Sequence, residues 1–146
     1  MNARKILFPT DFSPASEEAL RWATSLARDS GATMLIAHVE EPPMAYGGGE
    51  IYYPVEENRD ELRKSLVQVV PTDHTVPFEH ILLVGDPAHA IAETATKEDC
   101  DLIVMGTHGR TGLTRLLMGS VAEAVVRKAK CPVLTVKQPA EVAATT

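Results

Sequence analysis

Short apolar blocks alternate along the chain with longer stretches whose apolar residues recur at helical spacing. Lys5-Ile6-Leu7-Phe8-Pro9 is the first block, and its unbroken run predicts a strand buried on both faces. Ser13-Pro14 follows, a cap residue and then a proline at the first helical position. Glu17 and Glu18 fall in the first turn, where the helix dipole favours acids. Ala19, Trp22, Ala23, Leu26 and Ala27 form one face, so Trp22 is expected in the core, and Gly31 closes the helix.

The alternation continues to the end. Thr33 to Val39 reads as a second strand, and about Glu40 to Pro54 as a Pro- and Gly-rich loop containing Gly47-Gly48-Gly49. Leu62, Leu66, Val69 and Val70 mark a second helix that Pro71 stops. Ile81 to Val84 is a third strand. Gly85-Asp86-Pro87 then restarts a helix whose apolar face is Ala88, Ile91, Ala92 and Ala95. Asp101 to Met105 is a fourth strand, Ser120 to about Lys130 a fourth helix, and Cys131 to Val136 a fifth strand. Gln138 to Thr146 reads as a frayed tail. The order β-α-β-α-β-α-β-α-β predicts an α/β fold: a doubly wound five-stranded parallel sheet with helices on both faces.

Composition narrows this picture. A chain of 146 residues suits one domain with one core, and no linker or internal repeat marks a second. Its net charge of -6 argues against a sequence-independent grip on nucleic acid, though not against one bound nucleotide. No apolar stretch is long enough to span a membrane and Met1-Asn2-Ala3-Arg4 leads straight into a strand, so the expected location is the cytoplasm. Cys100 and Cys131 fit neither a zinc pattern nor a disulfide framework, and read as buried, inert thiols. His38, His74, His80 and His89 lack metal-ligand spacing, so no protein metal site is expected.

Ligands of such sheets bind beyond the carboxyl ends of the strands, where strand order reverses. Two polar clusters fall at strand ends: Pro9-Thr10-Asp11, and Gly106-Thr107-His108-Gly109-Arg110. If the first and fourth strands are central neighbours, both open into one crevice. Gly106 and Gly109 allow a turn whose amides can face an anion, and Gly119-Ser120 starts a helix whose first N–H groups point at the same place. The alternative readings are structural: Asp11 as the cap of a turn, the glycines as turn glycines, Arg110 and His108 as solvated surface groups. Neither a P-loop nor a G-x-G-x-x-G fingerprint after the first strand is present, which disfavours P-loop NTPases and Rossmann dehydrogenases.

Gly106-x2-Gly109-x9-Gly119-Ser120 resembles the ATP-binding motif of the universal stress protein family. Ile6-Leu7-Phe8-Pro9-Thr10-Asp11, Gly85-Asp86-Pro87, Leu116 to Ala122 and Cys131-Pro132-Val133-Leu134 extend the resemblance from about Arg4 to Lys137. The resemblance implies strand order 3-2-1-4-5 and ATP, with magnesium on its phosphates, lying across the first and fourth strands. It implies Asp11 on the adenosine part and the Val39 backbone on adenine, with Pro9, Thr10 and Met105 lining the nucleoside pocket. Gly106, His108, Gly109, Arg110, Gly119, Ser120 and Val121 would surround ribose and phosphates. It also implies a homodimer through Val133 to Val136. Three functions stay open at this point: an ATP-dependent regulatory module read by a protein partner, a slow ATPase with only Asp11 and His108 as candidates to orient water, and a nucleotide-free dimeric interaction module.

Overall fold

The computed structural model describes residues 3–42, 55–107 and 118–137. Among them lie five strands and four helices: β1 (Lys5–Pro9), α1 (Pro14–Ser30), β2 (Thr33–Glu40), α2 (Val55–Gln68), β3 (Phe78–Val84), α3 (Pro87–Lys97), β4 (Leu102–Gly106), α4 (Ser120–Lys128) and β5 (Val133–Val136). All pairings are parallel and the order is β3-β2-β1-β4-β5, as the resemblance implies. The Gly47–Gly49 run, His108, Gly109, Arg110 and the tail from Gln138 lie outside the described residues.

The sheet has an apolar layer on each face. Ile6, Phe8, Met34, Ile36 and Val104 pack with the α1 alanines and Leu66 on one side. Leu7, Leu35, Ala37, Ile103 and Met105 pack with Ile91, Ala95, Ala122 and Val125 on the other. Ile6, Leu7 and Phe8 are fully buried, each worth about 1.5–3 kcal/mol relative to exposure. This two-sided burial is why β1 reads as a continuous apolar run.

Helix α1 meets the sheet through Ala15, Ala19, Ala23 and Ala27. These four lie one turn apart on a single row, and their small side chains let the helix come close. Trp22 is a correction: it lies beside that row and is 50% exposed, because a close helix leaves no room for an indole beneath it. Gly31 closes the helix at φ 72°, the left-handed geometry expected there.

Other boundaries shift for local reasons. Helix α2 ends at Gln68, before Val69 and Val70, because the residue ahead of Pro71 is pushed out of helical geometry. Strand β3 begins at Phe78, three residues earlier than the apolar run suggests, through the pair Met34↔Phe78. It is an edge strand in which Glu79 is exposed and His80 is half-buried, its Nε2 2.7 Å from Val69 O, and the two break the apolar pattern. Strand β5 begins at Val133, and α4 ends at Lys128. Asp86 caps α3 as expected, accepting from the His89 N–H at 3.0 Å.

Candidate functional site

The sheet comes apart at the carboxyl ends of its central strands. Strands β1 and β4 pair through Ile6↔Leu102 and Leu7↔Ile103, whereas β1 and β2 stay paired up to Pro9↔Ala37. Beyond Leu7 and Ile103 the two strands are no longer paired, at the place where the strand order reverses and ligands of such sheets bind.

Thr10 and Asp11 turn the chain from β1 into α1. The Thr10 N–H donates to Ala37 O at 2.8 Å, the last rung toward β2 among the described residues. Thr10 Oγ1 accepts from the Phe12 N–H at 3.0 Å. Asp11 is partly buried, and its Oδ1 accepts from the Ser13 N–H and from Ser16 Oγ, each at 3.0 Å. The carboxylate thus organises the start of α1, while the expected cap Ser13 makes no side-chain capping bond. Ser13 Oγ is buried without a hydrogen-bond partner among the described residues. Phe12 holds φ 65°, a left-handed geometry costing about 1–3 kcal/mol in a non-glycine residue.

His38 stands behind this turn. Its Nδ1 lies 2.7 Å from Thr10 O, and its ring meets Phe12 with centroids 4.3 Å apart. The next residue, Val39, is half-buried. Successive residues of a strand turn their main-chain groups to opposite edges. Ala37 O faces β1 and Glu40 O accepts from the Gly85 N–H on the β3 side, so the Val39 main chain points to the β1 side, into the opening. Glu40 is buried and held by Arg59 Nε of α2 at 3.0 Å. Gly85, at φ 135°, makes the turn that brings its N–H to Glu40, a geometry open to glycine.

The opposite wall comes from β4 and α4. Met105 is buried, with its side chain in the layer beneath α3 and α4, and Gly106 ends the strand beside Val136. Thr107 is fixed by two bonds to Val136 O, from its N–H at 3.0 Å and from Oγ1 at 3.1 Å. The Gly119 N–H donates to Thr107 O at 2.6 Å, which sets the start of α4 directly beside the end of β4. Gly119 is the N-cap residue and offers no side chain, so among the described residues no side-chain cap is made to the first N–H groups of α4. Ser120 and Val121 are exposed on that first turn. Ser120, Val121 and Gly119 therefore stand with Gly106 at the end of β4, Pro9, Thr10 and Asp11 at the end of β1, and Val39 near the end of β2. A helix start beside a glycine-ended strand is an arrangement whose free N–H groups can face an anion.

At the far end of the sheet the chemistry is different. Cys100 is buried, and desolvation pushes its thiol up to about 11. Burial raises Cys131 as well. Both thiols are thus held in the protonated, unreactive form at neutral pH.

With this geometry in view, comparison with known proteins is decisive for the family. The model of the universal stress protein family matches residues 2–137. The chain belongs to the universal stress protein family. Universal stress protein MJ0531 of Methanocaldococcus jannaschii is 41% identical over 93% of this chain and 83% of its own. Among solved structures, the universal stress protein from Archaeoglobus fulgidus in complex with dAMP aligns with a TM-score of 0.64 and 27% identity, over 94% of this chain and 100% of that one. A universal stress protein in complex with cAMP aligns with a TM-score of 0.62 and 28% identity, over 93% and 98%. Among the described residues, no helix of this universal stress protein is long and apolar enough to cross a membrane.

Two polar features of the site escape the sequence pattern. His38 stands in an apolar strand and looks like an interruption. The Glu40–Arg59 pair joins the end of β2 to α2, and only an acid at a strand end hints at it.

Proposed function

We propose that this chain is an ATP-binding regulatory module of the stress response, acting in the cytoplasm. The nucleotide, with magnesium on its phosphates, lies across the ends of β1 and β4. One observation carries the reading: the Gly119–Thr107 bond seats the start of α4 at the end of β4, beside the place where β1 and β4 cease to pair. The relatives solved with dAMP and cAMP support an adenine nucleotide as the ligand class. Asp11 and the Val39 main chain bind the adenosine part. Gly106, Gly119, Ser120 and Val121, with His108, Gly109 and Arg110, surround ribose and phosphates. No catalytic base is assigned, so the reading is one of holding ATP and not of turning it over.

Strand β5 supports a second element of the reading. It pairs only with β4 in the described sheet, and its outer edge can take a second copy through Val133–Val136. The active unit is then a homodimer.

Calorimetry of the full chain with MgATP tests the proposal. One site per chain is expected, weakened roughly tenfold or more by Asp11→Ala, in keeping with loss of a polar ligand contact. Absence of both binding heat and copurifying nucleotide in the wild-type protein rejects it.

A further inference from the structure

We propose that His38 is a positioning residue that parts β1 from β2 at the ligand end and so presents the Val39 main chain to an adenine ring; the inference rests on the nucleotide reading above. In a regular parallel ladder, the residue whose N–H donates to Ala37 O would accept with its carbonyl from the Val39 N–H. Here that residue is Thr10, and its carbonyl accepts from the His38 imidazole at 2.7 Å. The side chain takes the place that a main-chain donor of the same strand would fill. Strand β1 can then turn away at Asp11 without stranding a buried carbonyl, since Thr10 is only 6% exposed.

A carbonyl only accepts, so the bond requires a proton on His38 Nδ1. The same ring packs on Phe12, which holds the left-handed turn. Both contacts act on residues 10–12, the segment that carries Asp11, while His38 itself stays buried at 9% exposure. Its part is therefore to set the two adenosine-facing groups, Val39 main chain and Asp11 carboxylate, and not to touch the ligand.

Three forms of the full-length protein separate this role from simple packing: wild type, His38→Leu and His38→Asn. Leu fills the space without a donor; the Asn amide nitrogen stands close to the place of imidazole Nδ1. Calorimetry with MgATP and, separately, MgGTP is the readout. His38→Leu should weaken MgATP roughly tenfold and narrow the preference for ATP over GTP, while His38→Asn recovers affinity to within about threefold of wild type. Unchanged ATP affinity and base preference in His38→Leu overturns the proposal, as does His38→Asn binding no better than His38→Leu. Nitrogen NMR of the wild-type imidazole provides a measurement independent of any variant's folding. A protonated Nδ1 is expected, and a neutral ring protonated only at Nε2 overturns the clamp. Wild-type protein that binds neither nucleotide rejects the nucleotide reading and the Val39 presentation with it. The NMR result then decides the Thr10 contact alone.

Discussion

The two ends of strands β1 and β4 are built to opposite purposes. At the amino end a single carboxylate bridges them: Asp101 Oδ2 accepts from the N–H groups of Arg4 at 2.8 Å and Lys5 at 3.2 Å, and the Asp101 N–H returns a bond to Lys5 O at 2.9 Å. Lys5 and Glu98 add an ion pair at 3.0 Å. At the carboxyl end the side-chain bonds among the described residues include Asp11 to Ser13 and Ser16 within its own turn, and His38 to Thr10 and Thr107 to Val136 with the outer neighbours. Side chains thus tie β1 to β4 at the amino end, while the strands' own pairing stops at Leu7↔Ile103 toward the other. The difference teaches where stability and binding reside, and the two can be perturbed separately.

The largest effect on stability should come from Asp101→Ala. Loss of a charged acceptor shared by two amides should cost about 1–2 kcal/mol in chemical denaturation. MgATP affinity should stay within about twofold of wild type, the mirror image of Asp11→Ala. If Asp101→Ala weakens ATP as much as it weakens the fold, the two ends are not independent.

The thiols at the closed end give a milder, pH-dependent effect. Cys100 titrates near 11 when folded, against 9.0 for an unperturbed thiol. The unfolded chain therefore releases this proton first. The stability contribution is present below pH 9 and declines as the pH rises toward 11. Cys100→Ser should flatten that decline in alkaline denaturation curves, and an unaltered decline would assign it to other groups.

The smallest effect belongs to Trp22→Ser, on the outer side of α1. A half-exposed residue beside the packed row should change stability by no more than about 0.5 kcal/mol and leave MgATP affinity alone. A loss of several times that size would mean the indole is covered in the assembled protein.

Legibility in the sequence followed burial. Strands β1, β2 and β4 are buried on both faces, so they read as apolar runs. The edge strand β3 hid its first three residues behind Glu79 and His80. Helical faces were legible where one row packs, as in Ala88, Ile91, Ala92 and Ala95, all of them buried. Trp22 misled because apolar character was taken for burial, while helix–sheet distance is decided by the smallest residues of a row. Strand order could not be read from spacing, since parallel connections of similar length serve either edge. It came from the resemblance of Pro9-Thr10-Asp11 and the glycine motif to a known family. Within the site, Asp11 and the Gly119 helix start were legible as local signals. The His38–Thr10 and Glu40–Arg59 contacts were not, because each joins residues far apart in sequence whose meeting depends on the finished sheet.

The alanine row of α1 acts as a ruler. Ala15, Ala19, Ala23 and Ala27 set how near the helix rides, and the helix begins at the turn that carries Asp11. Its spacing from the sheet therefore also sets where that turn stands. For a lineage of such proteins, a methyl group added at Ala23 would push the helix off the sheet and move the turn at its start. Tolerating it takes a matching loss of bulk in the apolar layer that Ala23 shares with Phe8, Ile36 and Val104.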